Sequence, residues 1–91
     1  MVMLVERWVL TPHALSEMAR RRIDQDTVAQ VLRSPGQRFA VRRGRDVLQS
    51  LMEIDGKSYV VRVFVDIDRS PPEIVTVYRS SQIEKYWSAG P

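Results

Sequence analysis

With 91 residues, 44% of them hydrophobic, the chain can build one modest core but not two. It has no cysteine and one histidine, which excludes disulfides, thiolate metal sites and a histidine-built zinc site. The net charge of +3 rests on twelve arginines and two lysines, and arginine's planar fork suits bidentate contact with phosphate.

The opening MVMLVERWVL has Glu6 and Arg7 interrupting a short apolar run, so it reads as neither a leader peptide nor a membrane helix. The cytoplasm is the expected compartment, and residues 3 to 10 are expected to form a short opening strand. Thr11-Pro12 then reads as an N-cap followed by proline at the first helical position, where its missing N–H costs nothing. At 100° per residue Ala14, Leu15, Met18 and Ala19 share one face, which predicts a helix over 12–22. Asp24 can cap a second helix carrying Val28, Val31 and Leu32, and Ser34-Pro35-Gly36 ends it.

From Gln37 the period changes to that of strands. QRFAVRR, DVLQSLMEI, KSYVVRVFVDI and EIVTVY are four candidates, with Asp55-Gly56 as a two-residue hairpin turn. Pairing across that turn sets Met52 opposite Tyr59, Ser50 opposite Val61 and Leu48 opposite Val63, an apolar face for the helices. The other face sets Val47, Gln49 and Leu51 against Phe64, Arg62 and Val60. That mixture is neither a core nor an ordinary wet surface, so the terminal helix or a partner should cover it. SSQIEKYW supplies this short helix, with Ser81 and Glu84 as a capping box. The expected fold is a single α+β domain over residues 1–91. Two N-terminal helices pack on a four-stranded antiparallel sheet, followed by a short C-terminal helix.

The arginines fall in blocks, Arg20–Arg22 and then Arg38, Arg42, Arg43 and Arg45. A basic small domain of this kind expects a polyanion, RNA or DNA ahead of a membrane. His13 stands on the first turn of the first helix, where a neutral imidazole could act as a general base. The wheel groups it with Glu17 and Arg20, so a solvated histidine competes with that role. Arg21 borders the apolar face and can reach the sheet rim. Arg22 falls within the apolar stripe, its stem packed and its head in solvent. Arg62 inside a strand needs a carboxylate or an anionic ligand, and Asp66 or Glu53 could supply the former. Thr76 and Tyr78 present hydroxyls on one face of the last strand. Each of these residues also has an ordinary structural explanation.

Taken together, TPHALSEMARRRI, SPGQ, GR, the glycine hairpin, IVTVY and KYW resemble, over residues 9 to 87, a family of small bacterial domains of unassigned function. That family is similar to the BrnT-type and RelE-type toxins of the barnase–EndoU–colicin–RelE group. Its pattern has a glycine where this chain has Arg22. The resemblance implies a metal-independent endoribonuclease without a cofactor, the toxin of a toxin–antitoxin pair, cleaving RNA by 2′-hydroxyl attack to leave a cyclic phosphate. It carries the catalytic roles to His13, Arg21, Arg45, Thr76 and Tyr78. Arg20, Arg42, Arg43, Arg62 and Lys85 are the expected RNA contacts. The implied partners are messenger or transfer RNA, free or on the ribosome, and an antitoxin protein; no membrane is implied, and a homodimer is left open. A non-catalytic RNA- or protein-binding module with the same arginines is the alternative. A structural subunit whose mixed face is covered by another chain is a third.

Overall fold

The structure, a computed structural model, describes residues 8–88. In chain order the elements are β1 (Val9–Leu10), α1 (Pro12–Arg21), α2 (Gln25–Arg33) and β2 (Gln37–Arg42). They continue with β3 (Arg45–Ile54), β4 (Lys57–Asp66), β5 (Glu73–Ser80) and α3 (Ile83–Tyr86). The expected opening strand is reduced to β1, and positions 3–7 lie outside the described residues. Strands β2 to β5 form the expected antiparallel meander. The sheet nevertheless has five strands and is mixed, because β1 joins β5 in parallel, Val9 beside Glu73 and Leu10 beside Ile74. A parallel neighbour requires a crossover, and everything from α1 to β4 provides it.

Both long helices begin as their caps dictate. The Thr11 hydroxyl accepts from the Ala14 amide at 3.1 Å, and the Asp24 carboxylate accepts from the Thr27 amide at 2.8 Å. Asp55 (φ 53°) and Gly56 (φ 79°) make the tight hairpin turn, and the β3–β4 register is the one their spacing predicts. Leu48, Val61, Val63 and Val77 meet Val28, Val31 and Leu32 of α2 and Met18 of α1 in one core.

Helix α1 departs from its apolar wheel. Ala14 and Met18 are buried, but Leu15 is 47% exposed and Ala19 is exposed as well. Glu17 and Arg21 are half-buried instead. The inward face is therefore centred roughly 80° from the predicted one, at 100° per residue. Arg22 does not lie in the apolar stripe either. It has left the helix as a left-handed C-cap (φ 57°, ψ 51°), and the Ile23 amide reaches back to the Met18 carbonyl at 2.9 Å.

The terminal segment crosses the sheet face opposite the helices. It leaves β5 at Ser80, runs as α3 over β4, and ends beside β2. The Gln37 side chain there donates to the Ser88 carbonyl at 2.7 Å. Gly36 admits the Trp87 ring, which would stand 2.6 Å from any Cβ at that position. The capping box does not form: Gln82 is the N-cap, and its amide is taken by the Ser80 hydroxyl. Val47 and Val60 on this face are buried, while Leu51 stays exposed.

The left-handed C-cap yields a direct prediction. Because Arg22 occupies a conformation that glycine adopts without strain, Arg22→Gly should stabilise the fold by about 1 kcal/mol. Urea unfolding measures it, and a lower midpoint would mean that the Arg22 side chain contributes more than its backbone costs.

Candidate nucleic-acid interface

Strand register arranges the face opposite the helices in rows. Gln49, Arg62 and Tyr78 form one row across β3, β4 and β5, and Val47, Phe64 and Thr76 form the next. Arg45 and Asp66 lie in the row beyond.

Arg62 is the centre of the first row. Its Nε donates to the Gln49 carbonyl oxygen at 2.7 Å, and its Nη1 donates to the Tyr78 hydroxyl. Three rings surround the guanidinium: Tyr86 at 4.6 Å, Phe64 at 5.3 Å and Tyr78 at 5.6 Å. Aromatic faces attract a cation without neutralising it. Among the described residues no carboxylate pairs with Arg62. Asp66, expected as a partner, binds Arg45 instead, and Glu53 is exposed without an ion pair. The half-buried charge is therefore hydrogen-bonded but uncompensated.

Arg21 approaches the same row from α1, with its guanidinium 5.6 Å from the centre of the Tyr78 ring. The helix rotation described above makes that reach possible. Glu17, one turn earlier, holds both Arg21 and Arg20 at 2.8 Å. The hydrogen bonds from Arg20, then those from Arg21, lower the Glu17 carboxyl from 4.5 to about 2. Two guanidiniums thus share one carboxylate. Arg21, Arg62 and Tyr78 together can grip a phosphate. The Tyr78 hydroxyl accepts from Arg62 and keeps its own proton to donate.

The remaining predicted residues are more scattered. Thr76 lies half-buried one row from Tyr78. Arg45 is held in a fork by Asp66, at 2.6 and 3.2 Å, an arrangement that raises the arginine's affinity for its proton and lowers the carboxyl's. Arg42 and Arg43 are exposed around the β2–β3 turn. Lys85 is exposed on α3, 5.3 Å from the Tyr86 ring. His13 is exposed on the first turn of α1. Eight residues separate it from Arg21, about 12 Å along the helix axis, so the two stand at opposite ends of α1.

The residue pattern did not single out Gln49, Arg79 or Tyr59. Gln49 is fully buried, and its amide donates to Gln37 at 2.8 Å and to the Tyr86 carbonyl at 2.9 Å. Arg79 lies over Tyr59 at 4.5 Å, on the helix-facing side of the sheet. Its signal was the alternation of IVTVYRSS, which turns an arginine toward the core side at the end of a strand. Among the described residues no three metal-binding side chains come together, and no helix is long and apolar enough to cross a membrane.

The lowered carboxyls fix a pH dependence. Glu17 and Asp66 bind protons more weakly when folded, so acid favours unfolding. The contribution of Glu17 is complete above about 4.5 and lost as pH falls toward 2. Thermal melts should show a falling midpoint over that window, with a smaller fall in Glu17→Gln. Asp66→Asn should cost about 2 kcal/mol at neutral pH, because it weakens a charge-assisted fork at a buried position. A midpoint flat from pH 5 to 2 would remove both pairs from the stability of the fold.

Among curated proteins and solved structures, none matches the chain. A family model described as a domain of unknown function, DUF4258, matches residues 10–79. The matched span runs from β1 into β5 and contains His13, Arg21, Arg45, Arg62, Tyr78 and Arg79. With most of its length matched, the chain belongs to the DUF4258 family.

Proposed function

We propose that the domain binds RNA and cleaves it as a metal-independent endoribonuclease of the toxin kind, with Arg21, Arg62 and Tyr78 around the scissile phosphate. The observation that carries this is Arg62, a half-buried cation with no carboxylate partner among the described residues, ringed by aromatics and joined by Arg21 at the Tyr78 ring. A phosphate would complete that charge balance. In the cleavage, the ribose 2′-hydroxyl gives its proton to solvent water as its oxygen attacks the adjacent phosphorus, and the P–O5′ bond breaks, which gives a cyclic phosphate. Arg21 and Arg62 stabilise the charge that grows on the phosphorane oxygens, and Tyr78 protonates the leaving oxygen. The rings of Tyr86 and Phe64 offer stacking surfaces to flanking bases. An antitoxin and the cytoplasm belong to the same proposal.

A second reading, a non-catalytic RNA-binding module, draws support from His13. It stands a helix length from Arg21, so a base for the 2′-hydroxyl is missing from the cluster unless RNA spans both ends of α1. His13 and Arg45 would then contact the chain away from the reacting phosphate.

Purified protein and a mixed-sequence RNA distinguish the two, with analysis of the new ends. Arg62→Ala and Arg21→Ala should each lower cleavage about a hundredfold, the scale of losing a transition-state charge donor. Tyr78→Phe, which keeps the ring, should also slow it, and chelator should not. His13→Ala lowering turnover about a hundredfold would restore it as the base. Binding without cleavage, with or without ribosomes, would establish the module, and no binding at all would overturn both readings.

A further inference from the structure

The end of the sheet beside the C-terminus of α1 holds a second basic feature. An open cleft of about 600 Å³ is lined by Arg20, Arg21, Arg22 and Arg79, with Tyr59, Ser80, Ser81 and Gln82 completing it. Glu17 is the one carboxylate paired to any of the four guanidiniums among the described residues. Arg22 and Arg79 have no carboxylate partner there. Arg79 is steadied from below by the Tyr59 ring, which leaves its donors free. The Ser80 hydroxyl accepts from the Gln82 amide and retains its proton for another acceptor. Three positive charges in excess, with hydroxyl and amide donors beside them, match the oxygens of a phosphate.

Arg21 links this cleft to the Tyr78 row, because it lines the one and stacks on the other. Tyr78 and Arg79 are consecutive residues of a strand, so they project to opposite faces of its end. A chain passing over the end of β5 meets both.

We infer that the cleft binds the phosphate next to the one held by Arg62 and Tyr78 on the same single-stranded RNA, with Arg21 between the two. This rests on the RNA reading above and adds the path of the chain, over the end of β5 and along the C-terminus of α1. A duplex is too stiff to turn over a strand end in one nucleotide, so the substrate is single-stranded.

The test measures the affinity of a short single-stranded RNA at several salt concentrations for the wild type, Arg79→Gln, Arg22→Gly and Arg62→Gln. Each lost phosphate contact should shallow the dependence of log affinity on log salt by about 0.7. Arg79→Gln should do so with a severalfold loss of affinity, and independently of Arg62→Gln. Arg22→Gly relieves the backbone while removing a cleft cation, and its urea midpoint, measured alongside, separates weaker binding from unfolding. Unchanged affinity and slope in both cleft variants, with Arg62→Gln weakened, would overturn the path and leave the RNA reading standing. If the wild type binds no RNA, the RNA reading fails, and pyrophosphate then decides the cleft. Amide shifts confined to Arg79–Gln82 and the end of α1 would keep it as a phosphate site, and none would overturn it.

Discussion

The buried amide of Gln49 is the interaction on which the face opposite the helices depends. A primary amide with no exposure must satisfy its oxygen and both its hydrogens internally, or lose about 1–3 kcal/mol for each group left bare. Here the oxygen takes Arg62, and the nitrogen reaches Gln37 and the Tyr86 carbonyl. One side chain on β3 therefore joins β2, β4 and the terminal segment. Four residues of helix without a side-chain cap could not persist alone in water. The segment is held instead by Gln49, by the Gln37–Ser88 pairing and by Trp87 lying on Gly36. That same segment brings Tyr86 over Arg62, so the hydrogen-bond accounting of one glutamine fixes the environment of the central cation.

Helix α1 shows a second constraint, in which charge overrides apolar pattern. Burying the Leu15 face would have turned Arg21 and Glu17 toward solvent. The observed setting leaves Leu15 exposed and half-buries Arg21, with its head over Tyr78 on β5 and Glu17 shared between it and Arg20. An arginine can bury its methylene stem and keep its head at a rim, so the rotation costs less than a count of apolar residues suggests. The alanines and the single leucine of this helix give a weak preference, which a few contacts at its C-terminus can outweigh.

These two constraints explain what the sequence made legible. The caps at Thr11 and Asp24, the Asp55-Gly56 turn and the β3–β4 register follow from short-range chemistry, and each stands where the residues place it. The Gln49–Arg62 half of the candidate row follows from that register, whereas Tyr78 joins it through the β4–β5 pairing, which the hairpin turn does not set. Long-range choices were not legible. Nothing local says that two residues before α1 pair in parallel with a strand more than sixty positions later. The partner of Arg62 was equally hidden: Asp66 is four residues away on the same strand and face, yet Arg45 directly opposite it forms the fork. Competition between cations for one carboxylate is settled by cross-strand geometry.

That competition also divides the arginines by what each has left to offer. Arg45 and Arg38 are committed to Asp66 and Asp46, so an anion meeting them must compete with an existing pair. Arg20 and Arg21 share a single carboxylate, which leaves donors on both unspent. Among the described residues Arg22, Arg33, Arg42, Arg43, Arg62 and Arg79 form no ion pair. Three of these, Arg22, Arg62 and Arg79, stand with Arg20 and Arg21 where β4, β5 and the end of α1 meet. An incoming polyanion is drawn by the charge that internal pairs have not cancelled. The net charge of +3 accordingly understates the local field there, and Arg42 and Arg43 leave a second pair of exposed cations at the β2–β3 turn.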